Sequence, residues 1–344
     1  MSDEEKTEAE VADYSPVRIE TLRPSCPFTF DLYVKVNEKY IHYVKKGDDL
    51  GEDRIEKFKL IEKLKEKDVQ RLFVHSRDKE TYNKFIDVSI EEVVSAPEME
   101  VDERMNAISE IAQQAIEVAF NDELSREAFQ MTEKAATGLR KVVQENPKAL
   151  KNIFGDKKKS SGQTMDVVLD HCKNVAALAV RMAFASGFRG EDLDDISTAA
   201  LMHDIGLTTL KKDEIDILFF RPEKIMSTDD KRLYQMHVKD GVAMLEKKEF
   251  VNPKIIALVK AHEETVSGDG YPERKKDMNK LEQILALCNC YEKKVTAYKM
   301  SPIEAFKNLQ INDVGRYPLE LIKRLKDILE SEEVFSLAPP KKEK

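Results

Sequence analysis

Residues 28–36 (FTFDLYVKV) alternate apolar and polar side chains, the period of a strand with one buried face. Asn37-Glu38 has turn chemistry, and 40–44 (YIHYV) resumes the alternation, so this stretch predicts a β-hairpin. From 52 to 67 the apolar positions Ile55, Phe58, Leu60, Ile61 and Leu64 fall at helical spacing. Residues 71–75 (RLFVH) predict a short strand and 77–86 a further helix, so 15–95 reads as a small α+β domain. Beyond it the period is helical. Ile108, Ile111, Ala115, Val118 and Ala119 form one stripe, and Leu124, Phe129, Met131, Ala135 and Leu139 another. Residues 96–160 therefore read as a helical connector ending in a polar linker at 155–162 (GDKKKSSG). Its apolar stripes are expected to pack on a second copy, giving a homodimer, or on the domain that follows. From 161 to 335 the pattern stays helical, with Gly187, Gly190, Gly206, Pro222, Gly241, Pro253 and Pro272 at the joints. Residues 1–14 and 336–344 read as polar tails. The expected fold class is mainly α: an all-helical C-terminal domain preceded by a small α+β domain and a helical connector.

Composition narrows this picture. A chain of 344 residues is long enough for two domains. Charged residues make up 35% and the formal net charge is -9, which argues against a nucleic-acid surface, since binding phosphates needs clustered Lys and Arg. There is no run of about 18 apolar residues, so no membrane span is expected. Cys26, Cys172, Cys288 and Cys290 have neither disulfide-framework nor zinc-ribbon spacing, which favours a reducing compartment. Cys288 and Cys290 adjoin an apolar run and read as buried thiols. The acidic N-terminus lacks signal-peptide character, so a cytoplasmic location is expected.

The histidines change the picture most. Of six, His42 and His75 lie in predicted strands and read as ordinary strand residues. The other four are His171, His203, His237 and His262, and His203 is followed directly by Asp204, His262 by Glu263. His171 shares a helix face with Val167, Val175 and Leu178, His203 with Ile196, Ala199 and Ala200, and His262 with Ile255, Leu258 and Val259. One such histidine is usually a satisfied core residue. Several imidazoles and a carboxylate buried together cost several kcal/mol unless they are paired or bind a metal. An adjacent His-Asp pair offers one imidazole and a carboxylate that can bridge two divalent ions, which points to metal-assisted hydrolysis of a phosphate ester.

Five segments stand in order: HCKNVAALA (171–179), ALMHDIGL (200–207), RPEKIMSTDDKRLYQMHVKDG (221–241), HEETVSGDGYP (262–272) and ILALCNCYE (284–292). In this order and spacing the stretch 165–335 resembles the HD-GYP domain, a branch of the HD phosphohydrolase superfamily. The resemblance implies an HD-type helical fold and a bacterial signalling role. It implies phosphodiesterase activity toward cyclic di-GMP with two divalent ions, iron or manganese, and a linear dinucleotide as first product. It places one ion near His171, His203 and Asp204 and a second near Asp204, His237 and His262, with His203 and Asp204 as the catalytic pair. Gly268, Gly270, Tyr271 and Pro272 keep the signature loop, which in the family shapes the substrate pocket and meets diguanylate cyclase (GGDEF) domain proteins.

This chain departs from the family at four positions. Glu263 stands where the family has a second histidine, and a carboxylate still binds hard ions. Asn289 stands where the last ligand is an aspartate and offers only a neutral carbonyl oxygen. Val167 replaces the glutamate of three-metal members, so a third ion is not expected. Leu207 replaces a lysine that reaches a substrate phosphate. Three readings follow: a cyclic di-GMP phosphodiesterase of reduced activity; a catalytically degenerate module that binds cyclic di-GMP or a protein partner; and an HD hydrolase of another nucleotide.

Overall fold

The computed structural model describes residues 14–22, 28–36, 39–47, 71–96, 99–121, 124–146, 148–155 and 164–337. The predicted helix 52–67, the Asn37-Glu38 turn, most of the linker and nearly all of both tails lie outside these residues. The chain divides into two compact units, 1–99 and 100–344.

The first unit holds a four-stranded sheet of β1 (Tyr14–Arg18), β2 (Leu32–Val36), β3 (Lys39–Val44) and β4 (Arg71–His75), in the order β1-β4-β2-β3. All its pairings are antiparallel. The alternating stretch forms the β2–β3 hairpin, with an irregularity between Leu32 and Tyr33. β1 starts at the last residue assigned to the tail, and its register with β4 runs from Tyr14↔His75 to Arg18↔Arg71. Its sequence, YSPVR, carries one buried apolar residue and a proline, so periodicity could not announce it. Helix α1 (Lys79–Ser95) extends well past the predicted end at 86. Val17, Leu32, Leu72 and Val74 of the sheet are buried, as are Tyr82, Phe85 and Ile86 of α1. Phe30 packs edge-on to Tyr82 and Phe85 at 5.4 Å between centroids.

The second unit is helical: α2 (Val101–Asn121), α3 (Arg126–Glu145), α4 (Ala149–Gly155), α5 (Thr164–Ala185), α6 (Glu191–Met202), α7 (Lys212–Leu218), α8 (Thr228–Glu246), α9 (Pro253–Ala261), α10 (Lys280–Thr296), α11 (Pro302–Asn312) and α12 (Leu319–Ser331). Helices α2 to α4, expected as a connector, pack on α5, and α3 also on α6. α5 is the central helix, buried on almost every face from Asp166 to Ala183 and in contact with α3, α6, α10 and α12. The fold is thus an HD-type helical domain after a small α+β region.

Local chemistry sets the helix starts. Ser125, Ser227, Asn252, Asn279 and Ser301 accept backbone N–H bonds at the starts of α3, α8, α9, α10 and α11. Asn279 with Glu282, and Ser301 with Glu304, complete capping boxes. Pro253 and Pro302 occupy first-turn positions where no N–H is needed. No helix among the described residues is long and apolar enough to cross a membrane.

Candidate metal centre

Two helix ends, two helix interiors and one turn bring the chemistry together. His203 ends α6 and His262 ends α9, while His171 lies within α5 and His237 within α8. Asp204 precedes a 3-10 turn at Ile205–Thr209. Gly206 makes the approach possible: a Cβ there would stand 1.9 Å from the carbonyl oxygen of His237. Only a residue without a side chain lets α8 cross this turn and set His237 beside Asp204.

All five side chains are buried. Three imidazoles donate Nδ1–H to the backbone carbonyl three residues back: His203 to Ala200 at 2.7 Å, His237 to Tyr234 at 2.6 Å and His262 to Val259 at 2.6 Å. A carbonyl only accepts, so these bonds fix the tautomer. His171 makes the equivalent Nδ1 bond to the Glu292 carboxylate. In the neutral ring every Nε2 lone pair is then free, and all four point at Asp204.

Asp204 divides its two oxygens between two histidine pairs. Oδ2 lies 3.4 Å from His203 Nε2 and 3.7 Å from His171 Nε2. Oδ1 lies 3.3 Å from His237 Nε2 and 3.8 Å from His262 Nε2. Within each pair the nitrogens are 3.2 Å apart. Two neutral rings so placed would meet lone pair to lone pair, a repulsion that a proton or a metal ion between the nitrogens relieves. Two nitrogens bound to one ion at about 2.1 Å stand about 3.0 to 3.4 Å apart at ordinary coordination angles. The two groups, His171–His203–Asp204 and Asp204–His237–His262, each keep their donor atoms within 4.8 Å of one another. The donor set therefore fits two divalent ions bridged by one carboxylate.

In the metal-free centre the Asp204 charge is balanced by the imidazoles around it. Burial opposes ionisation of Asp204, but His203 and His237 outweigh it and hold the carboxyl well below its usual range. Burial also opposes charge on His203, and Asp204 and Cys172 outweigh it, raising the imidazole well above its ordinary value. Burial, His203 and His237 together push His262 well below.

Asn289 on α10 donates its amide to the carbonyl of His262 and to Glu263 Oε1, both at 3.2 Å. With the nitrogen so fixed, its oxygen faces His171 Nε2 at 3.0 Å, aimed at the same centre. Glu263 belongs to neither donor group. Its Oε1 lies 3.7 Å from the Lys293 ammonium. Leu207 is fully buried and apolar, and Val167 is buried on α5.

Two residues escaped the sequence reading, Glu292 and Lys293. They follow Asn289 by three and four positions, so they share its face of α10. Glu292 is fully buried, bonds His171 and accepts from Asn174 at 2.7 Å. It orients His171 as carboxylates behind metal-binding imidazoles orient theirs. Lys293 bonds the Tyr234 hydroxyl, with its ammonium 4.3 Å from that ring's centroid. Burial would strip its proton, but Tyr234 and Glu263 outweigh it and hold Lys293 well above the usual lysine range. The periodicity that exposes the α10 face was legible; the partners across the helix interfaces were not.

The signature loop is built on Thr265 and Glu264. Thr265 Oγ1 accepts from the N–H of Asp269 at 3.3 Å and of Gly270 at 3.1 Å. Glu264 takes the N–H groups of Glu273 and Lys275 at 2.6 and 2.9 Å. Gly268 has φ +79°, and a Cβ on Gly270 would meet the Glu263 carbonyl oxygen at 2.6 Å. Tyr271 donates to Glu223 at 3.1 Å and places its ring 6.3 Å from that of His237; Pro272 follows through a cis bond.

In the first unit His42 lies 3.2 Å from Asp31 and His75 accepts from the Arg77 N–H at 3.1 Å, local roles for strand histidines. Cys172 and Cys288 are buried and Cys290 is partly exposed; Cys26 lies outside the described residues.

The HD domain family profile matches residues 122–318, more than half of the 344 residues. Comparison with curated protein sequences gave no match. Among solved structures the chain is similar to Bd1817, a HDG"Y"P protein from Bdellovibrio bacteriovorus, with a TM-score of 0.70 and 25% identity. That likeness covers 92% of this chain and 100% of the other. With the histidine–aspartate centre and the Gly268–Pro272 loop in place, the chain belongs to the HD domain family of metal-dependent hydrolases and is, within it, an HD-GYP domain protein.

Proposed function

We propose that the protein is a phosphodiesterase that hydrolyses cyclic di-GMP with two divalent ions, iron or manganese, at the Asp204 centre. The observation that carries this reading is the division of the Asp204 carboxylate between two histidine pairs. When bound, the ions would acidify water and neutralise charge on the phosphoryl oxygens. The chain's own residues do the rest. Asp204 keeps its charge under burial. The Nδ1 bonds of the four histidines aim each Nε2 at the Asp204 carboxylate. The Tyr271 ring beside His237 supports the signature loop as one wall of a substrate site made by Gly268, Gly270, Tyr271 and Pro272.

A second reading has its own support. Asn289 brings a neutral oxygen where an acid would stand, and buried Leu207 brings no cation to a phosphate. A non-catalytic module that binds cyclic di-GMP, or a diguanylate cyclase domain protein, fits those two positions.

Incubation of purified protein with cyclic di-GMP and Mn²⁺ or Fe²⁺ separates the two. The first reading expects the linear dinucleotide, and none from a His203→Ala/Asp204→Ala variant. Calorimetric binding without turnover would favour the second. Hydrolysis of other nucleotides alone would overturn the substrate assignment.

A further inference from the structure

Lys293 is a buried cation where a metal site needs none. Its ammonium approaches Glu263 Oε1 at 3.7 Å and bonds the hydroxyl of Tyr234, whose backbone carbonyl holds His237 and whose ring lies 4.7 Å from that histidine's. Glu263 directly follows His262. Both hydrogen-bond and ion-pair partners of Lys293 thus adjoin the Asp204–His237–His262 group, while the Phe219 ring, 5.5 Å from the ammonium, stands between it and His171. The Glu263 carboxylate, next to that group, already faces an ammonium on one side and the Asn289 amide on the other.

We infer that Lys293 is a built-in counter-charge that makes the two ion sites unequal, weakening the site formed by Asp204, His237 and His262. The inference rests on the reading that both groups bind divalent ions. Two effects act together. The ammonium occupies Glu263, so the carboxylate gives less negative charge to an incoming ion. It also repels the ion directly through a buried, weakly screened path. The His171–His203–Asp204 site instead has the Glu292 carboxylate bonded behind His171 and fills first. The protein would then carry one tightly held ion and one that exchanges with the medium, so that its state follows the free concentration of the metal.

The test is a Mn²⁺ titration of the metal-stripped full chain, followed by calorimetry and by the electron paramagnetic resonance signal of free Mn²⁺. Wild type is expected to show two steps of unequal affinity. Lys293→Met should tighten the weaker step about tenfold and leave the stronger one in place, while Lys293→Arg should keep the wild-type pattern. Should Lys293→Met fail to fold, Glu263→Gln serves instead: it leaves the ammonium uncompensated and should weaken the second step about tenfold. Ions bound by wild type with no change in either variant would overturn this inference alone. No ion bound by any of these proteins would overturn the metal reading and this inference with it.

Discussion

Asn289 donates its side-chain amide to the carboxylate of Glu263 across 3.2 Å. The HD-GYP resemblance sets Asp and His at these positions, and on that reading the acid has crossed the hydrogen bond to the other partner. The two departures compensate each other: the negative charge is kept but moved from the His171 side of the centre to the His262 side. A single reversion therefore meets a mismatched neighbour.

Asn289→Asp sets two carboxylates face to face and turns a donor on the His262 carbonyl into an acceptor. The metal-free protein should lose about 1–3 kcal/mol, the usual cost of a buried polar group left unsatisfied. Divalent ions should then bind about tenfold more tightly and recover more stability than in wild type, by mass action. Thermal unfolding with and without Mn²⁺ reads both effects. Unchanged melting and affinity would place Asn289 away from the centre.

Glu292→Gln leaves the shape of the side chain and removes the charge behind His171. Loss of such an outer partner costs about 10–100-fold in metal affinity. The tighter Mn²⁺ step should weaken by that factor, with the other little affected. An effect confined to the weaker step would mean that Glu292 does not serve the His171 end.

Gly206→Ala drives a Cβ into the His237 carbonyl at 1.9 Å, backbone against backbone. Overpacking ordinarily costs about 1–3 kcal/mol, and here no flexible side chain can yield. Urea unfolding should show a loss at or above the top of that range, together with a loss of ion binding because His237 is displaced. A change within about 0.5 kcal/mol, the scale of neutral surface substitutions, would refute the close crossing of α8 over the 205–209 turn.

Much of this was legible in the sequence, for physical reasons that also set the limit. His171, His203 and His262 could be placed because each sits in a helical apolar pattern that points it inward, whereas His237 was placed by the HD-GYP resemblance. The β2–β3 hairpin could be placed because alternation has only one meaning. β1 escaped because a short strand with a proline is specified by its partner β4. Glu292 and Lys293 escaped because their roles lie in contacts across helix interfaces, to His171, Tyr234 and Glu263.

The first unit has its own acid dependence. Asp31 accepts from the Lys46 N–H at 2.6 Å and is also bonded by His42 and Arg77, which lowers its pKa from 3.8 to about 2. A carboxyl depressed on folding adds stability above its unfolded pKa, lost as pH falls through the folded value. The loss should therefore run from about pH 4 to about pH 2. With His42 and Arg77 roughly half exposed, screening reduces its size to about 1 kcal/mol. The melting difference between wild type and Asp31→Asn should shrink over that window, and a pH-independent difference would contradict it.

The central claim is that the Asp204 carboxylate bridges two divalent ions held by the two histidine pairs. The most direct measurement is elemental analysis of the purified full chain after equilibration with Mn²⁺, beside the His203→Ala/Asp204→Ala variant. The account predicts two ions per chain in wild type and their loss in the folded variant. No ion in wild type, or equal ion content in both proteins, would contradict it.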